Sequence, residues 1–306
     1  MGAADLVPGV SGGTMALVFG VYERLLSAIT SVNRRAFDLL LRGKMGQLGD
    51  HIQIRFLVPL GLGILSAIVL LAEPLGRLLD DPLGRIFLFA FFFGLVVASV
   101  IAISGRIRWY ATTVGTVLLG TIIGYLVVTT TPSEGSTSNI ALFASGAIAI
   151  CAMILPGISG SFILLILGQY DHVLDAVRSR DIVVILIFGA GAVIGLLAFA
   201  RVLRRLLARF RNQTLGALVG FMAGSLWEVW PWRSCTSFAV TDEGSARCIS
   251  EAIQIPALSM NLVLAIGLAM LGGLIVTAVD HAESGANPLA RVAGSPRHRR
   301  AAKKDA

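Results

Sequence analysis

The sequence PGVSGGT, from Pro8 to Thr14, determines how the chain is organised, because it interrupts an otherwise apolar segment. It contains a proline, three glycines, a serine and a threonine, whereas its Leu-, Val-, Ala- and Phe-rich surroundings predict a helix. The similar sequence PGISGSF begins at Pro156, in a second apolar segment. Non-helical backbone is tolerated at membrane depth only where it is buried in protein or lines a cavity. The two breaks therefore indicate a site inside a membrane protein.

The composition supports a membrane protein. Of 306 residues, 56% are hydrophobic and 14% charged, and the mean hydropathy is +0.82; soluble domains carry roughly 25% charged residues. No charged region with a cleavage site precedes the first apolar run, so no cleavable signal peptide is expected. Apolar runs long enough to cross a ~30 Å hydrocarbon core predict spans at 56–72, 86–103, 110–130, 182–200, 214–230 and 258–279.

The basic residues are sorted between alternate connections. Eighteen lie in the connection 31–55, around Arg106 and Arg108, in 201–213 and in the tail, against six in the other connections. The positive-inside rule places the first group in the cytoplasm, and with it the C-terminus. The net charge of +7 therefore reflects topology, and nucleic acid is not an expected partner. The tail 280–306 is predicted to be basic, disordered and cytoplasmic.

Residues 8–29 align without a gap with residues 156–177, with nine identities in 22 positions. The proline, serine and tyrosine registers are difficult to attribute to composition alone. The charge sorting places both ends of the segment 139–178 outside, which makes it a re-entrant hairpin. By symmetry the segment 1–30 is a hairpin that enters from the inside. Since three spans separate the hairpins, the two copies have opposite orientation, as in many secondary transporters.

The predicted fold is thus an all-α polytopic membrane protein with an inverted-topology repeat. Each half has one re-entrant helical hairpin plus three transmembrane helices. The first repeat covers 1–130 (hairpin 1–30, spans 56–72, 86–103 and 110–130). The second covers 139–279 (hairpin 139–178, spans 182–200, 214–230 and 258–279), and the tail is 280–306.

The motifs favour binding of an anion. Ser11 and Ser159 are good N-caps for the half-helices that follow. A helix N-terminus offers unpaired N–H groups and the positive end of its dipole, so two such ends meeting near the midplane would attract a negative charge without a full positive one. Asp5 is an acid in an apolar stretch; it is a candidate to carry a coupling proton, or it lies at the water interface, and the sequence leaves both open.

The sequence also offers a candidate disulfide and an acidic residue near the outer interface. A disulfide between Cys235 and Cys248 in the longest outer loop is expected if that compartment is oxidising. Glu228, flanked by tryptophans, is expected at the outer interface. No His/Cys cluster indicates a metal, and no Walker motif indicates an ATPase, so no cofactor is expected.

The stretches MGAADLVPGVSGGTMALVFGVYERLLSAI and AICAMILPGISGSFILLILGQYDHVLDAV resemble the bacterial polyprenyl-phosphate transporter (PopT) family, formerly a family of unknown function. The resemblance runs from residue 1 to about 280. Family members usually carry extra residues before the first motif, so the inner limb of the first hairpin is expected to be short here.

The resemblance implies a non-enzymatic flippase of the bacterial inner membrane. It would recycle undecaprenyl or decaprenyl phosphate, the lipid carrier of cell-wall synthesis, by alternating access. Membrane lipids are the other expected contacts, and a homo-oligomer stays open. Arg24, at the exit of the first hairpin, is a further phosphate candidate or a snorkelling ion pair. The matched positions imply phosphate binding by Ser11, Gly12, Gly13, Thr14, Ser159, Gly160 and Ser161.

Two other functions remain as alternatives. A membrane phosphatase acting on polyprenyl pyrophosphate has a similar PGxSRSxxT stretch, but Gly12 and Gly160 stand where its arginine would be, and a glutamate-rich companion motif is absent. Without them there is no charge clamp and no evident base. A small-anion carrier would also use two helix ends, and only the family resemblance favours a lipid ligand over it.

Overall fold

The computed structural model describes residues 1–131, 135–136, 138–240 and 246–284, and side chains at 235–251 and 283–284 lie outside that description. The described chain is mostly helical, as predicted. Its helices and strands are α1 (Gly2–Asp5), α2 (Gly12–Val18), α3 (Tyr22–Thr30), α4 (Arg34–Leu41), α5 (Met45–His51), α6 (Ile54–Asp80), α7 (Pro82–Ser104), α8 (Ala111–Thr129), α9 (Asn139–Ile154), α10 (Gly160–Ile166), α11 (Tyr170–Ser179), α12 (Ile182–Arg209), α13 (Arg211–Ser225), β1 (Arg233–Val240), β2 (Ala246–Ile253) and α14 (Met260–Ser284).

Among the described residues, five helices are long and apolar enough to cross a membrane: α6, α7, α8, α12 and α14. At 1.5 Å per residue, the shortest of them, α8 with 19 residues, spans about 28 Å. This is close to the ~30 Å thickness of the hydrocarbon core. The chain is therefore a multi-pass membrane protein.

The segment predicted as a span at 214–230 is a shorter helix in the structure. α13 has 15 residues and rises only about 22 Å. It ends against the second motif: a Cβ added to Gly157 would lie 2.6 Å from Ser225 Oγ. The last turn of α13 therefore packs closely against the second motif.

Both motif segments are broken at equivalent places. α2 begins at Gly12 and α10 begins at Gly160, and each is seven residues long. Before each helix a glycine has positive φ, +78° at Gly9 and +88° at Gly157, a conformation that other residues rarely adopt. The aligned sequences therefore adopt the same local break.

Glycines let the long helices pack in close pairs. A Cβ on Gly94 of α7 would lie within van der Waals overlap of Ala269 O in α14, and one on Gly120 of α8 would lie 2.4 Å from Ala217 O in α13. A Cβ on Gly146 of α9 would lie 2.4 Å from Phe188 O in α12. Small residues permit this close approach of helices in membranes, so α7–α14, α8–α13 and α9–α12 are the tight helix pairs.

The buried core lies around α2, α7 and α13. Val10 precedes α2 and Leu17 lies in its last turn; both are buried with Val96 of α7 and with Leu218 and Met222 of α13. These side chains surround the first motif on several sides. Protein, and not lipid, therefore encloses the broken backbone, as membrane depth requires.

The expectation of an all-helical chain is wrong for the connection between α13 and α14. There β1 and β2 form an antiparallel hairpin, in which Arg233 pairs with Ile253 and Val240 with Ala246. The β-favouring Thr, Phe, Val and Ile residues of this polar stretch explain the difference. The predicted disulfide between Cys235 and Cys248 falls on strand residues whose side chains lie outside the described part.

The predicted tail begins later than expected. α14 continues to Ser284, and Asp280 is buried and forms an ion pair with Arg106. A buried carboxylate with a charged partner belongs to the folded bundle. The rest of the predicted disordered tail, 285–306, lies outside the described residues.

The glycine packing predicts an effect on stability. We expect Gly120→Val to lower the free energy of unfolding by about 1–3 kcal/mol, because the new side chain overlaps the α13 backbone. Gly115→Val is the matched control on the same helix, since a Cβ there meets nothing within 4 Å. Thermal unfolding in detergent measures both variants. Equal destabilisation of the two would contradict the packing described.

Candidate functional site

The two PGxSG motifs contact each other directly. Ser11 Oγ donates to the carbonyl oxygens of Met153 and Leu155, at 3.2 and 3.3 Å. In the other direction, Gly157 N donates to Thr14 Oγ1 at 3.0 Å. Reciprocal hydrogen bonds therefore join two segments that lie more than 140 residues apart in the chain. The alignment of the sequences showed only that the two segments are similar.

A tyrosine of the repeat strengthens this junction. Tyr22 is buried, and its hydroxyl donates to Ile154 O at 3.1 Å. A Cβ on Gly13 would lie 2.6 Å from the same carbonyl oxygen, so a glycine is needed for the two backbones to approach. The carbonyl groups at the end of α9, which no helical N–H reaches, thus obtain donors from the first motif.

The first-turn amides of α2 are paired within the protein. Gly12 N donates to Asp5 Oδ1 at 2.7 Å, Gly13 N to Ser11 Oγ at 3.0 Å, and Thr14 N to Ser11 O at 3.0 Å. Ser11 and Thr14 are 1% and 0% exposed. Ser11 is the N-cap that the sequence predicts, but the N–H groups expected to be unpaired are occupied, because buried amides require partners.

Asp5 is therefore part of the site in an unexpected way. Its carboxylate sits at the N-terminus of α2, where a negative charge is favoured by the helix dipole. A Cβ on Gly12 would lie 2.5 Å from Asp5 Oδ2, so glycine leaves the space that the carboxylate fills. Asp5 thus accepts the hydrogen bond of the Gly12 amide, which is where the sequence predicts that an external anion binds.

The second motif differs from the first in the hydrogen bonds that its serines form. Ser159 is the N-cap of α10 but makes no capping hydrogen bond through its side chain. Its Oγ lies 2.8 Å from Ser161 Oγ, and Ser161 is exposed while Ser159 is half-buried. Gly160 is buried, and a Cβ there would meet Ala149 O at 2.9 Å. The second motif thus presents two hydroxyl groups that the first motif, with its buried Ser11, does not.

Arg24 is not brought together with the other candidates. Its guanidinium lies over the ring of Phe56, 4.4 Å from the centroid, and its Nε donates to Gln53 Oε1 at 3.4 Å. Both partners lie at the start of α6. The structure therefore places Arg24 beside the first long helix, away from the junction of the motifs.

An ion pair next to the first motif was missed in the sequence. Glu228, predicted at the outer interface, is only 8% exposed, and Arg233 NH1 lies 3.1 Å from its Oε1. A Cβ on Gly9 would lie 2.6 Å from Glu228 Cγ, so this pair packs beneath the break. The only sequence signal was two opposite charges five residues apart after an apolar run, which is too common to identify a buried pair.

The geometry combines a multi-pass helical bundle with two backbone breaks that are joined by hydrogen bonds. A family model described as undecaprenyl phosphate translocase-like matches residues 1–247. No solved structure matches the chain at a significant level.

Two bacterial relatives are similar over most of their length. The polyprenyl-phosphate transporter of Vibrio cholerae serotype O1 is 40% identical over 271 residues, which cover 86% of this chain and 82% of the relative. The polyprenyl-phosphate transporter of Staphylococcus aureus is 31% identical over 253 residues, 76% of this chain and 83% of the relative. The chain therefore belongs to the undecaprenyl phosphate translocase-like family of membrane transporters.

Proposed function

We propose that this protein transports a polyprenyl phosphate, undecaprenyl or decaprenyl phosphate, across the bacterial inner membrane and so recycles the lipid carrier of the cell envelope. The names of its relatives support this substrate. The observation that carries the proposal is the reciprocal hydrogen bonding of the two motifs, Ser11 to Met153 and Gly157 to Thr14. Such a junction of broken helices inside a bundle is where transporters bind their substrates.

The proposal includes an inverted repeat, with residues 1–130 and 139–279 as its halves and re-entrant hairpins at 1–30 and 139–178. Support comes from the matched starts of α2 and α10 and the matched positive φ at Gly9 and Gly157. Each of the helix pairs α7–α14 and α8–α13 joins a helix of one half to a helix of the other half. A pseudo-two-fold axis relating the halves would map one of these pairs onto the other. The charge sorting places the C-terminus in the cytoplasm.

The phosphate would bind at the junction of the motifs. The hydroxyls of Ser159 and Ser161, with the Gly160 amide, are the open side in this arrangement. On the other side the donors are Ser11, Gly12, Gly13 and Thr14, whose amides are paired internally. Phosphate reaches the Gly12 amide only when Asp5 leaves it, so the two anions compete for one donor. Arg24 would receive the phosphate at the inner exit of the first hairpin.

Asp5 would thereby couple a proton to transport. A protonated carboxyl group is a weaker acceptor than a carboxylate, so proton binding at Asp5 would loosen its hold on Gly12 N and admit the phosphate. Return of the carboxylate would expel the phosphate. Proton and lipid phosphate would then move in the same cycle.

The alternatives receive less support. The relatives carry the name of transporters and not of enzymes, and the motif position of the phosphatase arginine is Gly12, which packs against Asp5. A small-anion carrier would use the same donors, so the transport experiment must separate it by its substrate.

Cysteine labelling tests the proposed topology. We expect Ser179→Cys, in the exposed end of α11, to react with a membrane-impermeant maleimide in intact cells. Gln47→Cys in α5 is the matched inner position and should react only after permeabilisation. Both residues are exposed, so access and not burial decides the outcome. The same side for both positions would exclude the inverted arrangement.

Liposome reconstitution tests the substrate and the hydroxyls. We expect the double variant Ser159→Ala/Ser161→Ala to move labelled polyprenyl phosphate at least about tenfold more slowly, because a hydrogen bond to a charged group contributes about 1.5–3 kcal/mol. Ser66→Ala, an exposed serine of α6, is the control and should match the unaltered protein.

The same vesicles separate the alternatives. Release of inorganic phosphate from polyprenyl pyrophosphate would indicate a phosphatase. Efflux of sulfate or chloride without movement of lipid would indicate an anion carrier. Either result would overturn the proposed substrate.

Asp5→Asn tests the coupling. The amide oxygen of Asn can still accept from Gly12 N, but it takes up no proton in the physiological range. We expect polyprenyl phosphate exchange to persist while its acceleration by an imposed pH gradient is lost. Asp38→Asn on the exposed face of α4 is the matched control. An unchanged response to the gradient in Asp5→Asn would remove Asp5 from the coupling.

A further inference from the structure

A continuous groove lies between α3, α12 and the start of α13. It consists of three adjoining cavities of about 250, 390 and 350 Å³. The first and second share Glu23 and Arg211, and the second and third share Arg204 and Ala208. We call it the arginine groove, because its walls include Arg106, Arg201, Arg204, Arg205 and Arg211.

Two arginines of α12 form hydrogen bonds to the end of α3 and to the residues that follow it. Arg204 NH1 donates to Thr30 Oγ1 at 2.7 Å, and Arg201 NH2 donates to Val32 O at 2.8 Å. Positions 201, 204 and 205 share one face of the helix. By contrast, the guanidinium of Arg209 lies 5.5 Å from the centroid of the Phe210 ring and does not line the groove.

The groove carries an excess of positive charge. Glu23 is its lining carboxylate and pairs with Arg211 at 2.8 Å, while the buried Asp280 pairs with Arg106. In the part of the chain that the structure describes, no carboxylate forms an ion pair with Arg201, Arg204 or Arg205. These three arginines therefore have donors and charge left for an anion.

The shape of the groove favours an amphipathic anion. Leu26 and Leu207 also line the groove. One end reaches Leu17 and Tyr22, and Tyr22 also donates to Ile154 at the junction of the motifs. A phosphomonoester matches several guanidinium forks, and an attached apolar chain matches the leucines.

We propose that the arginine groove binds the phosphomonoester headgroup of a lipid on the cytoplasmic side, next to the junction of the motifs. The inference rests on the proposed function, since it takes the transported lipid phosphate as the ligand. The phosphate displaces Glu23 from Arg211 and bonds to Arg204, so Glu23 acts as a competing anion that helps the lipid leave.

Binding of farnesyl phosphate, a short polyprenyl phosphate, to the full chain in zwitterionic nanodiscs tests the groove. We expect Arg204→Gln and Arg211→Gln each to raise the Kd about tenfold, with Arg209→Gln as the unaffected control. Glu23→Gln should lower the Kd severalfold, which loss of a merely structural ion pair would not do. Unchanged Kd in both arginine variants, or weaker binding in Glu23→Gln, would overturn the inference.

Competition distinguishes the source of the phosphate. Inorganic phosphate and phosphatidylglycerol should each displace farnesyl phosphate only at a far higher concentration than unlabelled farnesyl phosphate. Equal potency of either competitor would overturn the assignment to a lipid phosphomonoester.

Transport by the same preparations separates this inference from the proposed function. Normal binding in the arginine variants, with transport still lost in Ser159→Ala/Ser161→Ala, would overturn the groove and leave the proposed function standing. Arginine-dependent binding in a protein that moves no polyprenyl phosphate would support the groove and overturn the proposed function.

Discussion

The pairing of polar backbone groups away from water is the constraint on which this structure depends. Each motif breaks a helix, and a broken helix leaves N–H and C=O groups without partners. Here the breaks satisfy one another, through Thr14 with Gly157 and Ser11 with Met153 and Leu155. Each break thus supplies partners for polar groups that the other break leaves unpaired.

The two motifs have similar sequences but different partners. Gly12 N is held by Asp5, whereas the hydroxyls of Ser159 and Ser161 face outward and bond to each other. The counterpart of Asp5 in the aligned repeat is Met153, which has no charge to offer the second motif. Ser161 likewise stands where the first motif has Gly13, so a few residue differences give the two motifs chemically distinct surroundings.

Much of the fold could be predicted from the sequence because it depends on local patterns. Apolar length located the five long helices, and proline with glycine located both breaks. The close packing of Ser225, at the end of α13, against Gly157 could not be predicted, since the two residues lie far apart in the chain. The β-hairpin was missed because its weak strand signal lay in a polar connection between strong helices.

The positions of the two motifs could be predicted from the sequence, but the hydrogen bonds that they form could not. Ser11 and Thr14 lie at the junction of the motifs. The carboxylate that accepts from Gly12 N belongs to Asp5, for which the sequence left open a role as a proton carrier or a place at the water interface. The buried Glu228–Arg233 ion pair could not be predicted from the sequence, because its burial depends on how the whole bundle packs.

The arginines of α12 illustrate how one residue can meet two requirements. Topology needs only positive charge on one side, which lysine would supply equally well. The contacts of Arg201 need more, because its guanidinium bonds to Leu197 O and Val32 O at once, and a single ammonium group lacks that planar fork. Positive charge alone therefore does not explain these positions, because the guanidinium groups also connect α12 to the end of α3 and line the groove between the two helices.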